Sequence, residues 1–265
     1  MSRRVIVDDM TDNLAGLGPQ YEAAADRYSS HAANGLYNAH YDRPAGLELL
    51  GDVDGRHVLD AACGPGYYAA ELLRRGARVT GLDNSPRMVE LCRQLPGGEF
   101  RVHDLNDPLT WLPDDSVDLV LCALVYEYVD NRAGMLREFR RVLRPAGAVV
   151  LTCLHPTGNW LRHGGSYFDS GIVEEHWGGH LDMRVRFWVE PLEATCATIA
   201  DAGFVIERLV EPRPRPEGAA LAPGLYEKLS TGPHGFLAFR LRPSPDPGAP
   251  GAPAAPDAAG AQSNQ

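Results

Sequence analysis

Apolar residues in this chain fall into short continuous runs, separated by glycine-bearing turns and by stretches where they return every three or four positions. Runs of four to eight suit buried parallel strands, whereas the periodic stretches have helical spacing. Residues 57–61, 78–82, 99–102, 116–122, 148–153 and 204–210 read as strands, and 235–241 as a last strand hairpinned antiparallel into the sheet. Between the first two, Tyr67 to Arg75 places Tyr68, Leu72 and Leu73 at helical spacing and stops at Gly76. Ser85 is the expected N-cap, with Pro86 at the first helical position, of a helix whose inward face is Met88, Val89 and Cys92. Residues 134–143 form a further helix ending in L-R-P-A-G, and Leu192 to Ala202 another that stops at Gly203. This alternation predicts an α/β fold, a seven-stranded and mostly parallel sheet with helices on both faces and right-handed crossovers.

Three stretches depart from the rhythm. Residues 1–19 are expected to be loose, before a helical stretch in which Tyr21, Ala25 and Tyr28 share a face and a second helix around Ala33 to Leu50. Residues 156–190 form a glycine-rich insertion after the fifth strand, carrying Trp160, Tyr167, His176 and Trp177, with a possible strand from Asp182 to Trp188. From Arg242 onward the Pro, Ala and Gly tail cannot pack a core and is expected to be disordered. One domain, 20–241, is the reading.

Composition narrows the function. A chain of 265 residues with 44% hydrophobic content can bury one full α/β core. Its net charge of −10 argues against a nucleic-acid partner, which would demand basic stripes. No run reaches the roughly 18 apolar residues of a membrane span. The N-terminus lacks a signal peptide's hydrophobic segment, so a cytoplasmic location is expected. Five scattered cysteines form no zinc pattern, so no metal is implied and the thiols are expected to be reduced. Monomer and homodimer both remain open.

Two cofactor classes use a strand, glycine turn, helix and strand such as residues 57–83. Gly64-x-Gly66-x-x-Ala69 nominally fits a dinucleotide fingerprint. That site brings backbone N–H groups onto a pyrophosphate, and a carboxylate at the strand end, Asp60, works against such an anion. A cationic ligand carrying an ammonium and a sulfonium suits it better. D-A-A-C-G-P-G followed by Asp83 resembles motif I and its following acid in class I S-adenosylmethionine-dependent methyltransferases, which have a Rossmann-like fold. A closer likeness is to bacterial small-molecule methyltransferases, through Y-N-A-H-Y-D-R-P (Tyr37 to Pro44), His155-Pro156 and the stretch from Ala202 to Pro212.

The resemblance implies a cofactor site for S-adenosylmethionine. Asp83 would accept from the ribose hydroxyls, Asp104 from the adenine amine beside Leu105, and Met88 would lie against the base, with Asp60, Ala62, Gly64, Gly66, Asn84 and Ala123 completing the turn and strand ends. Three acids at the ends of three successive strands fit the rule that ligands bind outside those ends. It also implies that the N-terminal helices, 20–50, form a lid contributing Tyr28, while the aromatic, histidine-bearing stretch 156–190 itself reads as a flap over the cleft. Tyr37, Tyr41, Tyr126, Trp160, Tyr167 and Trp177 are the expected substrate contacts.

The implied chemistry is in-line methyl transfer to a small-molecule acceptor, with oxygen favoured over nitrogen or carbon. His155, at a strand end, and His176, on the flap, are the expected bases. Where related enzymes carry a histidine, Glu127 stands here and is expected to turn outward. The high Gly, Ala, Pro and Arg content points, by composition alone, to secondary metabolism. Other readings stay open, among them use of the sulfonium charge in a cyclisation or rearrangement and a non-catalytic binding role.

Overall fold

The computed structural model describes residues 3–5, 19–233 and 235–245. Most of the expected loose N-terminus, and the tail beyond residue 245, lie outside them. In chain order, a short strand β1 (Arg3–Val5) precedes α1 (Ala25–Asn34), then a π-helical turn (Asn38–Asp42) that continues into α2 (Arg43–Leu50). The alternating core follows with β2 (His57–Ala61), α3 (Tyr67–Arg74), β3 (Arg78–Asp83), α4 (Pro86–Cys92), β4 (Glu99–Val102), β5 (Val117–Ala123), α5 (Arg132–Val142) and β6 (Leu143–Leu154). After it come α6 (Pro156–His163), β7 (Gly171–Trp177), β8 (Met183–Val189), α7 (Leu192–Asp201), β9 (Phe204–Val210), α8 (Pro223–Thr231) and β10 (Phe236–Pro243).

The main sheet has seven strands in the order β4-β3-β2-β5-β6-β10-β9, and β10 alone runs antiparallel to its neighbours β6 and β9. The chain walks outward from β2 to β4, then returns to β5 on the other side of β2. That reversal opens a crevice beyond the carboxyl ends of β2 and β5, the place where open α/β sheets bind ligands.

Strand alternation divides the core between two faces. Leu59, Val120 and Leu151 pack with Leu136 and Phe139 of α5 and Ile199 of α7. On the other face, Val58, Leu119 and Val150 meet Leu47, Leu72 and Val89 from α2, α3 and α4. β6 is longer than its apolar run, because L-R-P-A-G is already extended. Proline pushes the residue before it out of helical geometry and brings no N–H to continue the helix. A Cβ on Gly147 would lie 2.7 Å from the Asp118 carbonyl, so only glycine lets β6 approach β5 there.

Residues 156–190 hold more regular structure than the expected glycine-rich insertion. β7 and β8 form a hairpin, and β1 joins β7 to complete a three-stranded antiparallel sheet. Its own small core, Val173, Val185 and Phe187 with Ala24, packs against Tyr21, Tyr28 and Tyr128. The expected helix at 33–50 is broken at Gly35, whose extended backbone (ψ 149°) ends α1.

Candidate active site

The turn after β2 passes through Ala62 (φ 66°), Gly64 (φ 53°) and Gly66 (φ 90°), all left-handed. A Cβ on Gly66 would sit 2.9 Å from the Cys92 sulfur, so this glycine lets α4 close on the turn. On Gly64 a Cβ would meet nothing within 4 Å, because that side faces open space. Two backbone donors of the turn are already engaged. Gly64 N–H donates to Asp83 Oδ2 at 2.9 Å, and Gly66 N–H to the Cys63 carbonyl at 3.0 Å. A turn with these glycine N–H groups engaged and two carboxylates beside it does not suit a pyrophosphate.

Beside the turn lies a cleft lined by nine residues expected at the cofactor: Tyr28, Ala62, Gly64, Asp83, Asn84, Met88, Asp104, Leu105 and Ala123. Asp60 and Gly66 do not line it. Gly66 packs beneath it, and Asp60 is 1% exposed, with Oδ2 buried and without a hydrogen-bond partner. Burial, reinforced by the nearby charge of Asp83, raises the Asp60 carboxyl to about 7. Burial also lifts Asp83 to about 6, against the pull of the Ser85 and Gly64 N–H groups. An uncompensated buried acid costs free energy, and a cationic ligand removes that cost. The residues that line the cleft therefore fit S-adenosylmethionine, with Asp83 for the ribose diol and Asp104 with Met88 and Leu105 for the base, while buried Asp60 acts through its charge beside Asp83. Arg43, stacked 4.9 Å from the Tyr67 ring centroid, and buried Asp42 line a small recess beside the same turn, a pair that motif reading missed.

A larger chamber of about 430 Å³ adjoins the cleft. Tyr21, Tyr28, Leu124 and Tyr128 border both spaces, and the Tyr21 hydroxyl donates to that of Tyr128 at 3.0 Å across the boundary. Leu124, at the end of β5, is another left-handed non-glycine residue (φ 53°), a strained conformation of the kind held at functional sites. Glu22 and Asp26 pin the N-terminal segment to α4 by hydrogen bonds to Ser85 and Arg87. The cleft itself is only about 110 Å³, below the roughly 300 Å³ at which ligand pockets begin.

The expected substrate residues divide. Tyr37 and Trp177 line the chamber. Tyr41 is buried against Phe236, its hydroxyl accepting from the Phe236 N–H. Tyr126 donates to Glu190 in a separate small cavity, and Tyr128, two residues on, takes the place beside the chamber. Trp160, whose indole donates to the Gly165 carbonyl, packs edge-on against Tyr167, whose hydroxyl accepts from Leu192 N–H. Neither of these two lines the chamber.

Both histidines are occupied elsewhere. His155 caps α6, its Nδ1 accepting from Thr157 N–H at 3.1 Å, which leaves the Nε2 proton of the neutral ring to Glu211 at 2.9 Å. His176 is an exposed side chain paired with Asp182 at 2.8 Å. Side chains alternate along a strand, so with Glu175 and Trp177 facing the chamber, His176 faces away. Glu127 corrects the sequence reading in the opposite sense: it is 4% exposed and lines the chamber rather than turning outward. Among the described residues no cluster of three or more metal-ligating side chains is present, and no helix is long and apolar enough to cross a membrane.

Comparison with known proteins agrees with this geometry. Residues 59–151 match the family model described as a methyltransferase domain. The malonyl-[acyl-carrier protein] O-methyltransferase of Serratia marcescens is 32% identical over 54% of this chain and 54% of its own length. The demethylmenaquinone methyltransferase of Tropheryma whipplei is 35% identical over 44% of this chain and 48% of its own. The chain thus spans about half the length of these curated relatives. A solved S-adenosylmethionine-dependent methyltransferase from Mesorhizobium loti superposes with a TM-score of 0.59 at 24% identity, covering 75% of this chain and 96% of that one.

Proposed function

We propose that this chain, which belongs to the class I S-adenosylmethionine-dependent methyltransferases, transfers a methyl group to a small-molecule acceptor seated in the inner chamber, with a hydroxyl oxygen favoured over nitrogen or carbon. The observation that carries the reading is the contact between the two spaces. A carboxylate-lined cleft and an aromatic chamber share one wall of Tyr21, Tyr28, Leu124 and Tyr128. The cofactor, when bound, supplies a methyl made electrophilic by the sulfonium. The protein's part is then alignment and exclusion of water, which supply much of the rate. Asp83 and Asp104 would fix the nucleoside, buried Asp60 adds negative charge beside Asp83 that favours a cationic ligand, and the tyrosine wall closes the space where donor and acceptor meet. The expectation that Tyr37 and Trp177 contact substrate is kept, and the names of the relatives, one an O-methyltransferase, support the reaction type.

Calorimetric titration with S-adenosylhomocysteine, with NADH as control, tests the cofactor assignment. Micromolar binding of the homocysteine compound alone is expected, and binding of NADH alone overturns it. A product heavier than the acceptor by one methyl then separates transfer from a rearrangement that only borrows the sulfonium charge.

A further inference from the structure

The chamber contains a buried carboxylate that cofactor binding leaves without a use. Glu127 lies on the 3₁₀ turn (Tyr126–Tyr128) that follows β5. Tyr128, next to it in sequence, borders both the chamber and the cofactor cleft, while Glu127 lines the chamber and, with Tyr126, Arg132 and Glu190, a small cavity behind it. The carboxylate accepts from the backbone N–H groups of Glu127 and Leu154, yet its Oε2 is buried without a hydrogen-bond partner, a state that calls for an explanation. The other charged pair in the chamber is spoken for. Glu175 holds Arg162 at 3.4 Å, His163 at 3.1 Å and the Trp177 indole N–H at 2.8 Å. The walls are flat and aromatic, with Tyr37, Tyr128, Trp177 and Phe236 among them.

Resting on the methyl-transfer reading above, we propose that Glu127 is the proton acceptor of the reaction and that the chamber takes a flat, neutral hydroxyarene or enol whose O–H points at this carboxylate. As the oxygen bonds to the methyl carbon and the carbon–sulfur bond breaks, the O–H electron pair stays on oxygen and the proton passes to Glu127. The thioether leaves neutral, and Glu127 later returns the proton to water. An amine fits less well, because an ammonium paired with this carboxylate has no lone pair with which to attack. Burial raises Glu127 to about 7, with Asp42 from the π-helical turn adding to the rise, while the Leu154 N–H and Arg132 of α5 oppose it. A base with that pKa is matched to work near neutrality. Neither His155 nor His176 has a free nitrogen facing this space, and the histidine that does line the chamber, His31, packs against His180 with its pKa lowered by burial.

The test uses the full chain saturated with S-adenosylhomocysteine, titrated calorimetrically with 2-naphthol, its methyl ether and 2-naphthylmethylamine. Naphthol is expected to bind at least about tenfold more tightly than the ether. Glu127→Leu should erase that preference with S-adenosylhomocysteine affinity unchanged, and the near-isosteric Glu127→Gln, which reports on folding, should retain part of it. Absence of naphthol binding, tighter binding of the amine, or a Glu127→Leu protein that keeps the preference each overturns the proposal. Failure of S-adenosylhomocysteine to bind is a separate result, and it removes the methyl-transfer reading itself.

Discussion

The cofactor cleft and the inner chamber share a wall but are built in opposite ways. The cleft gathers the ends of β2, β3, β4 and β5 and the turns that follow them, so most of its chemistry lies within residues 60–129. The chamber draws on α1, the π-helical turn, the turn after β5, α6, β7 and the start of β10, segments up to about two hundred residues apart. Local sequence writes the first; packing assembles the second. The difference extends to charge, for the cleft is lined by two acids, Asp83 and Asp104, with Asp60 buried beside them, whereas the chamber holds one carboxylate with an unpartnered oxygen among aromatic rings.

Removing the acids of the cleft would break this contrast most directly. Asp83→Ala and Asp60→Ala should each weaken S-adenosylhomocysteine binding tenfold or more, about 1.4 kcal/mol, by calorimetry. Unchanged affinity would mean that the cleft is not organised by its carboxylates. A comparable effect is expected from acid. Burial raises Asp60 to about 7, and its ionised form is the one that favours a cationic ligand, so binding should fall roughly tenfold from pH 8 to pH 6. Asp60→Asn should flatten that profile.

Stability without ligand should move the other way. Asp42, Asp60, Asp83 and Glu127 all have folded-state pKa values raised by burial, to about 6, 7, 6 and 7. The folded state therefore holds these protons more tightly than the unfolded chain, and stability declines as pH rises from about 4 through about 7. Asp60→Asn should raise Tm at pH 8, by about 2–4 °C for each kcal/mol of relief. A melting temperature that climbs steadily over that pH range would contradict the buried, unpaired state of these acids.

The histidines sharpen the chamber's side of the comparison. His155→Ala removes the cap of α6 and should cost about 1 kcal/mol in chemical denaturation, with acceptor binding retained. His176→Ala, at an exposed ion pair, should change stability by less than about 0.5 kcal/mol. A loss of activity larger than the stability effect in either variant would return that residue to the reaction.

How much was legible followed the same division. D-A-A-C-G-P-G, Asp83 and Asp104 were found because strand, turn and helix signals fix them within a few residues, and the parallel sheet places successive strand ends side by side. Tyr21 and Tyr128, by contrast, meet across 107 positions of sequence. His176 and Trp177 were both placed at the substrate, yet adjacent residues of one strand face opposite ways, so only one could be. Tyr126 gave way to Tyr128 for a related reason: on a tight turn, two positions decide which side is reached. His155 stands at a strand end as expected, but Pro156 starts a helix immediately after it, and the ring is used up as the cap.

The sequence by itself determined the order of strands and helices, the glycine turn with its acids, and through them the class of cofactor. These rest on short-range backbone preferences and on hydrophobic period, which each segment carries independently. Tertiary structure alone decided which aromatics line the chamber, that Glu127 is buried rather than solvated, and that two histidines are structural partners. Those outcomes depend on the facing of side chains from distant segments, and the burial that shifts a carboxylate's pKa exists only once those segments have packed together.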